Sequence, residues 1–169
     1  MANDFAHITP AQAELIRNAP LFFIASADPS LAAPENGLGP VNLSPKGDSK
    51  LVVIDPNTVA YLDYTGSGNE TARHAAAGGP VTVMLCSFEA VNAAIVRLYG
   101  AAQVLSLDEY AHREMLEEGA AGEIALPERQ VIEIAVASTV TSCGYGVPVI
   151  TGFTPRTRRQ RGRRYKAVR

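Results

Sequence analysis

The sequence predicts a mainly β domain, a small antiparallel barrel with a few peripheral helices. Predicted strands outnumber predicted helices and mostly follow one another directly, whereas repeated βαβ units would alternate the two. A chain of 169 residues has the size of one ordinary domain. Its 47% hydrophobic and 19% charged residues are typical of a globular protein. These features together favour one antiparallel domain with its own core.

Capping and turn residues mark the first elements. Thr9 and Gln12 have the spacing of a capping box, and Pro10 occupies the first helical position, so we expect a helix that ends near Pro20. The segment "LFFIASADPS" then predicts a strand that closes in an Asp-Pro turn. In "VNLSPKGD", apolar and polar residues alternate, as in a half-buried strand with one polar face.

The second half of the chain continues the β pattern. "KLVVID" and "TVAYLDY" flank a Pro-Asn turn and predict a hairpin, and a short alanine-rich helix and the apolar strand "PVTVMLCSF" follow. The β-branched residues of "AAIVRLYGAAQVLS" favour a strand bent at Gly100. Ser106 and Glu109 form a second capping-box pattern, which predicts a helix over "LDEYAHREMLEE". The last predicted element is a long strand, "RQVIEIAVASTVTS".

Composition also excludes several classes of protein. No apolar run reaches the roughly 20 residues of a membrane-spanning helix. "APLFFIASA" resembles a signal-peptide core, but Asp4, Glu14 and a capped helix precede it, so we expect no export. The two cysteines cannot form a disulfide framework, and no Cys/His cluster has metal spacing. We therefore expect a cytoplasmic protein without a metal site or a membrane partner.

The charge of the chain is distributed unevenly between residues 1–153 and a basic tail at 154–169. The tail holds seven arginines, one lysine and no acid, and removing these eight positive charges from the total of −2 leaves about −10. We therefore interpret 1–153 as the folded domain. Two interpretations of the tail stay open: a solvated terminus that folds back on the acidic body, or a contact with a polyanion such as nucleic acid.

The segment "TGSGNETAR" has the parts of an anion cradle. Gly66 and Gly68 allow a tight turn before a helix, whose N-terminal N–H groups attract anions. A plain glycine-rich turn with an asparagine cap is the alternative. A third possibility is a dinucleotide-binding fingerprint, Gly66-x-Gly68-x-x-Thr71 with Glu89 further on. The missing third glycine or alanine counts against that possibility.

A second polar stretch lies in "VNLSPKG". Asn42 and Ser44 fall on one face of a predicted strand, and Lys46 follows them. These residues either bind an anionic ligand or form a strand that runs into a turn with a solvated lysine.

In their order and spacing, "LFFIASADPS", "GPVNLSPKGD", "TVAYLDYTGSGNETARH" and "GGPVTVMLCSF" resemble the pyridoxamine 5'-phosphate oxidase-like flavoproteins. The resemblance is to the general FMN-binding branch and covers roughly residues 9 to 150. It implies a split β-barrel of the FMN-binding type that pairs into a homodimer, with FMN at the subunit interface. The basic and aromatic C-terminal residues of the vitamin B6 enzymes proper cannot be placed here, so that particular activity is not expected.

The resemblance also implies cofactor-binding residues. Those expected to line the flavin are Asn42, Ser44 and Lys46. Those expected to form the phosphate and ribityl cradle, with Arg73 as a phosphate partner, are Tyr64, Thr65, Ser67, Asn69, Thr71 and Arg73.

A further segment, "TSCGYGVPVI", is similar to segments found near the flavin in this branch. Two glycines bracket Tyr145, so its backbone can approach a ligand closely and its phenol can stack or donate. Ser142 and Cys143 are expected to join it at the flavin; the alternative is a turn with a buried tyrosine.

The sequence thus predicts an FMN-dependent oxidoreductase that transfers electrons between a nicotinamide or other donor and a small organic substrate. FMN carries the redox chemistry and needs little from the protein beyond positioning and a donor or positive charge near the ring, so no catalytic residue is assigned. Three alternatives remain: a deazaflavin-dependent reductase, a flavin-binding protein without turnover, and a dimeric barrel whose tail binds nucleic acid.

Overall fold

The computed structural model describes residues 2–32, 39–66, 68–119 and 128–154. Within these residues the protein is mainly antiparallel β structure, with 45% strand and 15% helix. The elements in chain order are β1 (Asn3–Phe5), α1 (Pro10–Asn18), β2 (Phe22–Ala27), β3 (Val41–Lys46), β4 (Val52–Asp55), β5 (Thr58–Tyr64), α2 (Glu70–Ala76), β6 (Pro80–Cys86), β7 (Ala94–Leu105), α3 (Arg113–Gly119) and β8 (Glu128–Cys143). The predicted basic tail lies outside the described residues from position 155 onward.

The strands form one sheet in the order β3-β2-β6-β7-β8-β5-β4, and β1 pairs with the C-terminal half of β8. Every strand pairing within the described residues is antiparallel. This arrangement confirms the predicted fold class. A dinucleotide-binding fingerprint requires a parallel βαβ unit, so the glycine pattern after β5 does not have the context that such a motif needs.

The sheet curls so that strands from its two ends approach each other. Four strands lie between β3, which carries Lys46, and β5, which carries Asp63, yet the two side chains form an ion pair. Asn42 of β3 likewise donates to Thr71 of α2, which follows β5. Because side chains bridge the two ends where strand pairing does not, the architecture is a split barrel, as the sequence predicted.

The barrel interior is an apolar core. Phe22 and Tyr61 meet edge to face, with their ring centroids 5.2 Å apart. Leu98, Ile132 and Ile134 are fully buried in the same cluster. Edge-to-face aromatic pairs add stabilisation beyond the area that they bury. This core fixes the position of β5, whose C-terminal end carries the candidate site.

The first helix begins as the sequence predicted. The Thr9 N–H donates to Gln12 Oε1 at 2.9 Å, and the Gln12 N–H donates to Thr9 Oγ1 at 3.3 Å. The Gln12 side chain is buried and also bonds with Thr139 and Thr141 of β8. The capping box therefore starts the helix where the sequence predicted, and Gln12 also attaches the helix to the sheet.

The predicted helix over 107–118 is wrong at its start, because α3 begins only at Arg113. Tyr110 is buried, and its hydroxyl donates to Glu133 Oε2 at 2.8 Å. Leu107 and Tyr110 form a turn instead of the first turn of a helix. Tertiary packing of Tyr110 thus overrides the local capping signal at Ser106.

Strand β3 differs from a usual half-buried strand. Its polar residues face inward, whereas Val41 and Leu43 face outward with 61% and 65% of their surface exposed. β3 is an edge strand that pairs only with β2, which also explains why it tolerates Pro45. The short strand β1 was not predicted, because three residues give no periodic pattern.

Candidate functional site

A polar cleft of about 260 Å³ opens where β3 faces the end of β5 and the start of α2. It is lined by Asn42, Ser44, Lys46, Asp63, Tyr64, Gly66, Gly68, Asn69, Glu70 and Thr71.

Strand β3 contributes alternate side chains to the cleft. Asn42, Ser44 and Lys46 share one face because successive strand residues point to opposite sides. Asn42 Nδ2 donates to Ser44 Oγ at 3.1 Å and to Thr71 Oγ1 at 3.3 Å. The amide and hydroxyl groups are therefore already oriented by one another.

Lys46 supplies a positive charge inside the cleft. Its Nζ donates to Asp63 Oδ1 at 2.9 Å. The Lys46 side chain is 23% exposed and the Asp63 side chain is 11% exposed. The same Nζ lies 5.4 Å from the centroid of the Tyr61 ring, which is within cation–π range. The ammonium group is thus held by two partners and is still accessible from the cleft.

Two tyrosines on β5 remain protonated at neutral pH. Burial, reinforced by the charge of Asp63, raises the pKa of Tyr61. Burial, followed by the charges of Glu128 and Asp48, raises the pKa of Tyr64. Among the described residues, the Tyr61 hydroxyl is the buried side-chain polar atom that has no hydrogen-bond partner.

Arg129, at the start of β8, holds the segment that follows β5. Its Nη1 donates to Gly68 O at 2.9 Å and to Asn69 Oδ1 at 3.1 Å. Its Nη2 donates to Gly66 O at 3.1 Å. We call Gly66, Gly68 and Asn69 the glycine loop; one guanidinium group binds all three of these residues.

The neighbouring Gln130 connects the glycine loop to the ion pair in the cleft. Its Nε2 donates to Asn69 Oδ1 at 2.8 Å and to Asp63 Oδ2 at 3.0 Å. Lys46, Asp63, Gln130 and Asn69 therefore form a continuous chain of polar contacts. Sequence reasoning missed Asp63, Arg129 and Gln130, because about sixty residues separate the two sides of this contact.

Six predicted site residues meet in the cleft, and these are Asn42, Ser44, Lys46, Tyr64, Asn69 and Thr71. Asn69 occupies the N-cap position of α2 without forming a side-chain capping bond, because its Oδ1 accepts from β8 instead. Thr65 is exposed and does not line the cleft. Ser67 lies outside the described residues.

Arg73 does not line the cleft. Its Nη2 lies 3.3 Å from Glu70 Oε1, and its side chain is 52% exposed. Glu70 lines the cleft, and its carboxylate would repel an anion there. Arg73 pairs with Glu70 and so partly neutralises this negative charge.

Ser142, Cys143 and Tyr145 lie at the far end of β8. Tyr64 pairs with Glu128 at one end of this strand, whereas Ser142 pairs with Ile95 at the other end. Fourteen strand residues span about 45 Å. The structure therefore does not bring these three residues to the cleft of the same chain.

The surroundings of the far end of β8 are partly polar. Arg97 Nη1 donates to Ser142 Oγ at 3.1 Å. Cys143 is a free, exposed cysteine, and Tyr145 is 89% exposed. A cavity of about 470 Å³ lies nearby, between α1 and the start of β7, and Thr141 is part of its lining.

The described residues lack two features that would point to other classes of protein. No group of three or more His, Cys, Asp or Glu side chains within them is arranged to hold a metal ion. None of their helices combines the length and the apolar character needed to cross a membrane.

The fold and the cleft are those of a split-barrel protein, and comparisons with known proteins identify the family. The family model for pyridoxamine 5'-phosphate oxidase matches residues 8–143. The pyridoxamine 5'-phosphate oxidase family protein ustO of Aspergillus flavus is 37% identical over 133 residues. That alignment covers 78% of this chain and 50% of ustO, so the chain spans about half the length of this curated relative. The protein belongs to the pyridoxamine 5'-phosphate oxidase family.

Solved structures support the fold. HupZ of Group A Streptococcus superposes with a TM-score of 0.55 at 24% identity, over 76% of this chain and 89% of HupZ. A conserved protein of unknown function from Corynebacterium diphtheriae gives a TM-score of 0.54 at 12% identity, over 84% and 98% of the two chains. At these identities the similarity establishes the shared fold alone.

Proposed function

We propose that the protein binds FMN and acts as a flavin-dependent oxidoreductase on a small organic substrate. The observation that carries this proposal is the polar cleft at the opening of the split barrel, found in a chain of the pyridoxamine 5'-phosphate oxidase family. The cleft combines an ammonium group with amide, hydroxyl and phenol groups. Such a set of donors suits a ligand that carries carbonyl, hydroxyl and phosphate oxygens.

The residues of the cleft fit the parts of FMN. Lys46 offers a charged donor to an oxygen or nitrogen at the edge of the flavin ring. Asn42, Ser44 and Thr71 offer groups that both donate and accept, which suits ribityl hydroxyls. The protonated phenol of Tyr64 can donate to a phosphate oxygen. When bound, FMN supplies a ring that accepts and releases electrons.

The size of the cleft supports a site that two subunits share. Its volume of about 260 Å³ is below the roughly 300–1,000 Å³ of pockets that enclose a ligand of drug size. FMN would therefore extend beyond it. We propose that Ser142, Cys143 and Tyr145 of a second subunit cover the remainder, since these residues lie far from the cleft of their own chain.

Exposed apolar side chains support the same homodimer. Val41 and Leu43 on the edge strand β3 and Tyr145 after β8 are exposed for more than half of their surface. Val41 and Leu43 adjoin on one face of β3, and adjacent exposed apolar groups of this kind mark interaction sites, whereas Tyr145 is a separate exposed group at the other end of β8. Val41 and Leu43 lie on the opposite face of β3 from Asn42 and Ser44, so a partner that packs on them would border the cleft along this edge strand.

Mixing two defective variants tests the shared site. Lys46→Ala damages the cleft half of each site, and Tyr145→Ala damages the proposed partner half. Each homodimer should bind FMN weakly. After subunit exchange, each mixed dimer holds one intact site, so about a quarter of all sites should recover wild-type affinity.

A flavin-fluorescence titration of the mixture measures this recovery, and gel filtration confirms that both variants remain dimeric. A Tyr145→Ala protein with wild-type affinity, or a dimeric mixture without recovery, would refute the shared site.

A further inference from the structure

We propose that Arg129 is a positioning residue that shapes the glycine loop to receive the phosphate end of the cofactor. This inference rests on the proposed FMN-binding function. Nothing in the sequence pattern singled out this arginine; its three hydrogen bonds to the glycine loop do.

Arg129 is suited to this role because the strand that carries it is held in the middle of the sheet. It belongs to β8, which pairs with β5 on one side and β7 on the other. The guanidinium group is a planar fork of donors, so it sets the relative positions of the groups that it binds. The glycine loop connects β5 to a helix of only seven residues and has no side-chain cap of its own. Its shape therefore depends on this long-range contact.

The contact with Arg129 also determines which backbone groups of the glycine loop can face an anion. The carbonyl oxygens of Gly66 and Gly68 face Arg129, where their partial negative charge is matched by a cation. In a trans peptide the C=O and N–H groups point in opposite directions, so the N–H of Asn69 points away from Arg129. Arg129 thus holds two carbonyl groups that would repel an anion on its own side, and the Asn69 N–H lies on the opposite side of its peptide.

The charge of Arg129 also acts directly on the cleft. Its Nη1 lies 4.0 Å from Asp63 Oδ2, and Asp63 also pairs with Lys46. Without Arg129, Asp63 would present a less compensated carboxylate to an incoming phosphate. Both effects favour a ligand that carries a phosphate over the same ligand without one.

The test compares FMN with riboflavin, which has the same ring but no phosphate. We expect Arg129→Gln to weaken FMN binding about tenfold and to leave riboflavin binding within about twofold. Arg129→Lys, which keeps the charge but not the fork, should give an intermediate FMN affinity. Arg113→Gln is the matched control, because Arg113 is an exposed arginine on α3 whose ion-pair partners among the described residues are Asp108 and Glu117.

Arg129→Gln with wild-type FMN affinity, or with equal losses for FMN and riboflavin, would overturn the role in phosphate binding. Hydrogen exchange of the segment 64–72 in the ligand-free protein provides a second readout. Exchange there should be faster in Arg129→Gln, with no change in the core of β5, and an unchanged rate overturns the positioning role. If the wild-type protein bound no flavin, the proposed function would fail, while the exchange result would still decide whether Arg129 shapes the loop.

Discussion

Replacing Lys46 by alanine should weaken the binding of both FMN and riboflavin by about 10- to 100-fold, because a hydrogen bond from a charged donor contributes about 1.5–3 kcal/mol. The substitution removes the ammonium group from the cleft and leaves Asp63 without its 2.9 Å partner. That carboxylate would then repel an electron-rich ligand. A fluorescence titration with each flavin measures the loss.

Lys50→Ala is the matched control for this substitution. Lys50 lies four residues further along the chain, but it is exposed and does not line the cleft. Its removal should leave both affinities unchanged. A Lys46→Ala protein that binds flavins as tightly as the Lys50→Ala protein would contradict the assignment of Lys46 to the site.

Replacing Gly100 by alanine should lower the free energy of unfolding by about 2 kcal/mol or more. The register between β7 and β8 shifts at Gly100, where β8 has one extra residue. A Cβ atom at this position would collide with the backbone carbonyl oxygen of Ala135. Because backbone atoms of a paired strand cannot rotate aside, the two strands would have to separate locally. Urea denaturation measures the change in stability.

Gly152→Ala provides the comparison. A Cβ atom on Gly152 would meet no atom of the described residues within 4 Å, so the unfolding midpoint of Gly152→Ala should match that of the wild type. Equal stability of the Gly100 and Gly152 variants would show that the close approach of β7 to β8 at this position does not depend on glycine.

Local signals predicted the parts of the fold in which a short segment determines its own structure. The capping box of Thr9 and Gln12 starts α1, and Gly100 lies at the register shift between β7 and β8. The same type of signal failed at Ser106, because burial of Tyr110 against the sheet outweighs a capping preference worth about 1 kcal/mol. Capping residues indicate where a helix is able to start, whereas packing decides whether it does.

The candidate site was predictable on one side only. The alternation of Asn42, Ser44 and Lys46 places them on a common face of a strand, and the structure confirms that they share one. Their partners on β5 and β8 meet them through the curl of the sheet, which no local pattern encodes. Asp63 and Arg129 could therefore be identified only from the folded chain.

The hypothesis of a site shared by two subunits also depends on both the sequence and the fold. The resemblance to a flavoprotein family suggested both the cleft residues and Tyr145, and the fold places these two groups at opposite ends of β8. A single chain cannot bring them together across about 45 Å of strand. A second copy of the chain would resolve this separation, and it would also cover the exposed Val41 and Leu43.

The most direct test of flavin binding is the visible absorption spectrum of the purified protein, recorded before and after addition of FMN and gel filtration. We predict that the two visible bands of oxidised flavin elute together with the protein. A colourless protein that takes up no FMN would contradict this account and would leave a deazaflavin as the cofactor to test in the same cleft.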